Sequence, residues 1–186
     1  MKNTILSSST FLMLLFAQTT LAVSPPSVPL TAKQEASIAQ ILKEIQILAQ
    51  SNVIVKAVVN RNKEMPPEYV NLTNDAWKRL PVIAPIIKDI IANEVSAFLR
   101  SKRTIQISEM FVSAADGTKV AFLEKTTRWN HSGREKHDVP MTGKNWKGPA
   151  EFDESSGTNQ IQLAVPIISG DKPIGSLVVG VAVARL

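Results

Sequence analysis

Thr104-Ile-Gln-Ile-Ser-Glu-Met-Phe-Val112 is rich in β-branched and apolar residues, Ala115-Asp116-Gly117-Thr118 carries turn chemistry, and Lys119-Val-Ala-Phe-Leu-Glu-Lys-Thr-Thr127 resumes the strand pattern. Two such runs about an Asp-Gly turn predict a β-hairpin. Towards the C-terminus, strand patterns continue over Ala150 to Asp153, Gln160 to Ile168 and Ile174 to Val183, with turns at Glu154 to Thr158 and at Ser169-Gly-Asp-Lys-Pro173. Ile161, Leu163 and Val165 alternate there with Gln162 and Ala164, the period of a strand with two different faces.

Towards the N-terminus the period becomes helical. Thr31-Ala-Lys-Gln34 matches a capping box, and Ile38, Ile41, Leu42, Ile45, Leu48 and Ala49 recur at three- and four-residue spacing. A helix is expected from near Ala32, with the apolar pattern carrying on through Val53 to Val59. Asn60 to Asn71, with Pro66-Pro67, reads as a loop. Pro81 and Pro85 suit the opening of a second long helix, whose stripe is Ile83, Ile86, Ile87, Ile90, Ile91, Val95, Phe98 and Leu99. It closes among Arg100, Lys102 and Arg103, cations that suit the negative end of the helix dipole. Helices followed by a run of antiparallel strands make an α+β domain, expected over residues 31–186.

Met1 to Ala22 holds Lys2, the apolar run Phe11 to Ala17 and the small-residue end Thr20-Leu21-Ala22, the pattern of a secretory signal peptide. The run is far short of the roughly 20 residues that span hydrocarbon, which argues against the rival reading as an uncleaved anchor. Val23 to Leu30, with three prolines, reads as a leader. The expected location is therefore periplasmic or secreted. The absence of cysteine excludes a disulfide framework, thiolate chemistry and covalent c-type haem. A net charge of +5 and a pI of 9.6 admit an anionic partner. No basic run is interleaved with aromatics, however, so nucleic acid is set aside.

Met110-Phe-Val-Ser-Ala-Ala-Asp-Gly117, Glu154-Ser-Ser-Gly157, Ala164-Val-Pro-Ile167 and Gly170-Asp-Lys-Pro-Ile-Gly175-Ser-Leu-Val-Val together resemble the Cache, or PDC, extracytoplasmic sensor domains. These are PAS-like ligand-binding modules of bacterial chemoreceptors, sensor kinases and cyclic-dinucleotide enzymes. The resemblance covers roughly residues 32 to 186. It implies an antiparallel sheet of about five strands with two long N-terminal helices packed on it, a single Cache unit. It also implies a small-molecule pocket roofed by the irregular segment that follows the hairpin. Family receptors continue into a membrane helix where this chain reaches Leu186, so a freestanding module that signals through a separate membrane receptor, sensor kinase or cyclic-dinucleotide enzyme is expected. Family members often dimerise along their first helix, which makes a homodimer a further expectation. The tyrosine, arginine and tryptophan signature of the amino-acid-binding branch is missing.

The irregular segment Arg128 to Pro149 contains both histidines and two of the three tryptophans. Widened to Glu124 to Gly148, it holds six Lys and Arg against three Asp and Glu. A pocket for a small anion, most plausibly a carboxylate, is therefore expected here, with Arg134 as the planar fork and Trp129 and Trp146 as apolar walls. His131 joins the candidate set. Phe111 and Phe122 are strand residues that serve either as core or as pocket floor. Most single lysines of the segment read as solvated. His131, Glu135, His137 and Asp138 have ligand chemistry but no spacing that guarantees a shared face, so no metal and no other cofactor is expected. No nucleophile elbow, phosphate-cradling glycine loop or metalloprotease helix occurs. The reading is thus a binding sensor and not an enzyme. An adaptor with a vestigial pocket and an enzyme with an unrecognised site stand as alternatives.

Overall fold

The computed structural model of the chain describes residues 29–153 and 158–186. The expected signal peptide, positions 23–28 of the leader and turn residues 154–157 lie outside the described residues. The first helix, α1, spans Ala32–Ala49 and opens on the expected capping box. The Gln34 backbone N–H donates to Thr31 Oγ1 at 3.3 Å, and the Thr31 N–H donates to Gln34 Oε1 at 2.9 Å. Its stripe of Ile38, Ile41, Ile45 and Ala49 is buried.

The pattern expected to run on through Val59 does stay helical, but as a separate helix, α2, at Asn52–Lys63. Ser51 between the two is extended, a backbone state that serine adopts readily at a helix start. The β-branched run Val53 to Val59 is helical because Ile54 and Val58 bury against the rest of the fold, which outweighs a weak local propensity. Part of the expected 60–71 loop is accordingly helical, and Pro67–Tyr69 adds a 3-10 turn.

A short helix that the sequence reading did not foresee, α3, spans Asn74–Arg79, with Thr73 Oγ1 capping the Ala76 N–H at 3.1 Å. The expected second long helix is two: α4, Pro85–Ala92, and α5, Glu94–Lys102. Asn93 breaks it by turning extended and accepting from the Ser96 N–H at 2.8 Å, an N-cap inside an aliphatic run.

The strands are β1, Ile107–Ala114, β2, Lys119–Phe122, β3, Trp146–Asp153, β4, Thr158–Ser169, and β5, Lys172–Ala182. They form one five-stranded sheet in the order β2-β1-β5-β4-β3, with every neighbouring pair antiparallel. The expected sheet is therefore present, and β3 begins inside the segment read as irregular. The hairpin turn needs its glycine: Gly117 has φ +85°, and a Cβ there would collide with the Ser132 backbone N.

Strand alternation gives the sheet two unlike faces. One carries Ile161, Leu163 and Val165 of β4 with Leu177, Val179 and Val181 of β5, in one core with the buried faces of α1, α2 and α5. The other carries Phe111, Phe122, Ala164 and Val178 beneath a second cluster of Tyr69, Trp77, Ile87, Ile90 and Trp129. No helix among the described residues is long and apolar enough to cross a membrane.

Candidate functional site

The second face is where the polar chemistry sits. Register places Phe122, Phe111, Val178, Ala164 and Trp146 in one row across all five strands. The next row brings Lys119 opposite Ser113 and Ser113 opposite Ser176. Lys119, Ser113 and Ser176 are fully buried, and His131 and His137 nearly so.

Lys119 is the centre of this row. Its Nζ donates to Ser113 Oγ at 3.0 Å, lies 2.5 Å from His131 Nδ1, and stands 4.0 Å from the Phe111 ring centroid. No carboxylate among the described residues forms an ion pair with it. Burial drives its pKa well below the usual lysine value, Lys136 lowers it further, and Glu109 opposes the shift. The His131 imidazole stacks on Phe111 at 4.9 Å. Burial first, then the charge of Lys119, push its pKa far down, so the ring is neutral and Nδ1 accepts from the lysine.

His137 is fixed in the same way from the other side. Its Nε2 lies 3.3 Å from the Ala115 carbonyl, which only accepts, so that nitrogen carries the proton. Nδ1 then faces Ser176 Oγ at 2.8 Å. Burial holds this ring neutral as well.

Beside the cluster, Lys136 Nζ donates to Gln162 Oε1 at 2.8 Å and stands 5.9 Å from the Phe111 centroid. Gln162 in turn donates from Nε2 to Glu109 Oε2 at 2.8 Å, across the side-chain-free Gly180. Lys136, Trp146 and Gln162 help to line a groove of about 130 Å³ on this side. Trp146 is half-buried and donates from Nε1 to Glu135 Oε2 at 3.3 Å.

The roof is aromatic. Trp129 packs against Tyr69 and Trp77, with centroids at 5.3 and 5.2 Å, and Trp77 meets Phe122 edge-on at 5.8 Å. Trp77 Nε1 donates to the Thr126 carbonyl at 2.6 Å, which anchors α3 to the segment after β2. Asn74 clasps the Asn130 backbone, accepting from its N–H at 2.9 Å and donating to its carbonyl at 3.3 Å. Arg61 of α2 reaches the same place. Its guanidinium lies 4.6 Å from the Tyr69 centroid, and Nη2 donates to the Lys119 carbonyl at 2.6 Å.

The structure brings Phe111 and His131 together at the cluster, puts Phe122 and Trp129 in the aromatic packing above it, and sets Trp146 on the neighbouring groove. Arg134, the expected planar fork, is exposed at the N-cap of α6, Glu135–Asp138, and its guanidinium pairs with no described residue. The cations beside the Phe111 ring are Lys119 and Lys136. Lys136, expected with most lysines of its segment to be solvated, is instead half-buried and bonded to Gln162, and Lys119, expected as a strand residue, is fully buried in β2. A signal for Lys119 was present, because the turn 115–118 sets it opposite Ser113, which shares a face with Phe111 two residues before. His131, Glu135, His137 and Asp138 do not converge, since no group of three or more metal-binding side chains occurs among the described residues.

No protein-family model matches the chain, and a search of characterised proteins finds no relative. Among solved structures, the sensor domain of the Vibrio cholerae histidine kinase DctB matches with a TM-score of 0.52 and 14% identity, over 82% of this chain and 53% of that one. The chain thus spans about half the length of that domain. The E. coli DcuS sensor domain is also found, at a TM-score of 0.48 and 13% identity, over 82% of this chain and 94% of that one. The ligand-binding domain of the Campylobacter jejuni chemoreceptor Tlp3 with 4-methylisoleucine follows at 0.41 and 15%, over 82% and 61%. With the DctB likeness added to its order of helices, hairpin, roofing segment and closing strands, the chain has the Cache, or PDC, fold of bacterial sensor domains.

Proposed function

We propose that this chain is an exported sensor module that binds a small carboxylate on the roofed face of its sheet and presents its ligand state to a separate membrane receptor, sensor kinase or cyclic-dinucleotide enzyme. One observation carries the reading: a fully buried lysine, Lys119, held by a serine and a neutral histidine with no carboxylate partner. A buried ammonium is costly unless an anion completes it, so Lys119 has a lowered pKa in the empty site and an anion would restore its charge. Phe111 supplies an apolar floor, and Lys136 a second cation beside it. Two charge-assisted bonds at about 1.5 to 3 kcal/mol each, with aromatic burial, are in scale with the roughly 8 kcal/mol of a micromolar ligand.

A catalytic role is not proposed. Ser176 Oγ and His137 Nδ1 adjoin at 2.8 Å like a nucleophile and base, yet the other ring nitrogen of His137 faces the Ala115 carbonyl and not an orienting carboxylate. A homodimer along α1 would have to use its outer residues, such as the exposed Ile47, because Ile38, Ile41 and Ile45 are buried in the core.

The test is thermal unfolding of the purified exported chain against mono- and dicarboxylates. At a hundred times its dissociation constant a carboxylate adds about 2.7 kcal/mol, a rise of several degrees. Lys119→Met loses that rise and Arg134→Ala keeps it. Because the anion restores charge to a lysine whose pKa is lowered in the empty site, binding takes up a proton, and affinity falls as pH rises through that lowered pKa. A rise that persists undiminished in Lys119→Met defeats the proposal. The adaptor reading is favoured by a different observation: with Lys119 fully buried and His131 at 2% exposure, the cluster is closed beneath its roof. It predicts no response to any carboxylate while a protein partner still binds.

A further inference from the structure

On the helix side of the sheet, α1, α5 and β1 enclose a groove of about 360 Å³. Ile41, Ile45 and Leu48 of α1 and Phe98 of α5 line it, together with Ile107 and Met110 of β1. Those two residues belong to the sheet, so the groove has β1 as part of its floor and does not merely cross a helix face. That volume lies at the lower end of the roughly 300 to 1,000 Å³ of small-molecule sites. Apolar walls with a few polar atoms are the usual composition of a small-molecule site.

Two polar groups in its wall want an acceptor. Ser51 is the N-cap of α2, yet its side chain makes no capping bond, and its Oγ is buried without any hydrogen-bond partner. A buried orphan hydroxyl is uncommon and calls for a partner. Lys102 holds its ammonium 5.5 Å from the Phe98 centroid and forms no ion pair with the described residues. Its neighbours are engaged: Arg100 donates to the Ile91 carbonyl, and Arg103 to the Ile107 carbonyl. Glu44, also in the lining, already accepts from Gln40 Nε2 at 2.9 Å. A lysine can only donate, so Lys102, which Glu44 does not reach as an ion pair, is left to an acceptor carried by a ligand with an apolar body.

We infer that this groove is a second ligand site, separate from the roofed face, for a medium-chain aliphatic carboxylate. The chain lies along α1 against Ile41, Ile45 and Leu48, and the carboxylate meets Lys102. Depth decides between occupants. A second copy or a partner helix would lie on the outer surface, whereas a chain one methylene wide reaches Met110.

Calorimetric titration of the exported chain with decanoate and with decanol tests this. Both bind one-to-one, Leu48→Trp abolishes both, and Lys102→Gln weakens decanoate about two- to fivefold while leaving decanol unchanged, the scale of an exposed charge pair. Lys102 is a surface residue, so its variant keeps the assay informative if Leu48→Trp fails to fold. Lys119→Met leaves decanoate binding intact, which separates this site from the carboxylate site proposed above. The inference is overturned if the folded chain binds neither compound, or if decanoate binding disappears in Lys119→Met. It is equally overturned if light scattering finds a dimer that Ile47→Lys dissolves while decanoate does not bind.

Discussion

The two faces of this sheet are made by alternate residues of the same strands, yet they are built on opposite principles. Along β4 and β5 the helix-side residues Ile161, Leu163, Val165, Leu177, Val179 and Val181 are aliphatic and fully buried. Their neighbours on the roofed side include Gln160, Gln162 and Ser176, and across the sheet Lys119, Ser113 and His131 complete a buried polar cluster. Burying an aliphatic side chain contributes about 1.5 to 3 kcal/mol with no partner required. Burying a lysine costs unless every donor is answered. A period of two residues is enough to separate a stabilising face from a chemically demanding one.

The largest effect that sharpens this contrast is expected from Leu163→Ala. Cavity formation at that fully buried helix-side position costs about 3 kcal/mol, a fall in Tm of roughly 6 to 12 °C. Carboxylate affinity on the other face stays as it was. If calorimetry finds both stability and affinity reduced, the two faces are not independent.

A smaller effect comes from pH. His131 and His137 are both held neutral by burial, with folded pKa values below the ordinary 6.5. The unfolded chain takes up protons near 6.5 that the folded chain refuses, so their contribution is present above that value and is lost as pH falls below it. Between about pH 7 and pH 5.5 the loss is about 1 kcal/mol for His131, read as a falling denaturation midpoint. A midpoint that is flat or rises over that interval breaks the picture of a neutral, closed cluster.

The smallest effect tests the periphery. Lys147 Nζ sits 2.6 Å from Glu35 Oε2 and ties β3 to α1, but both side chains are largely solvated, at 40% and 49% exposure. Glu35→Gln should change stability by less than about 0.5 kcal/mol. A larger loss in urea unfolding would mean that β3, at the sheet edge, depends on that tie.

The amino-acid sequence by itself determined the capping box at Thr31, the Asp-Gly hairpin, the strands at 160–168 and 174–183 and the α+β class, because each depends on residues close together in the chain. It also marked Phe111 and His131 as candidates. Tertiary structure decided the breaks at Ser51 and Asn93, where two aliphatic runs that read as single helices divide to bury Ile54 and Val95 in one core with α1. It put Lys119 and Lys136, and not Arg134, beside the Phe111 ring on the roofed face. Local pattern reports propensity and alternation. Which charge is stripped of water depends on what a distant segment lays over it, and only packing of the 128–131 roof on β1 and β2 supplies that.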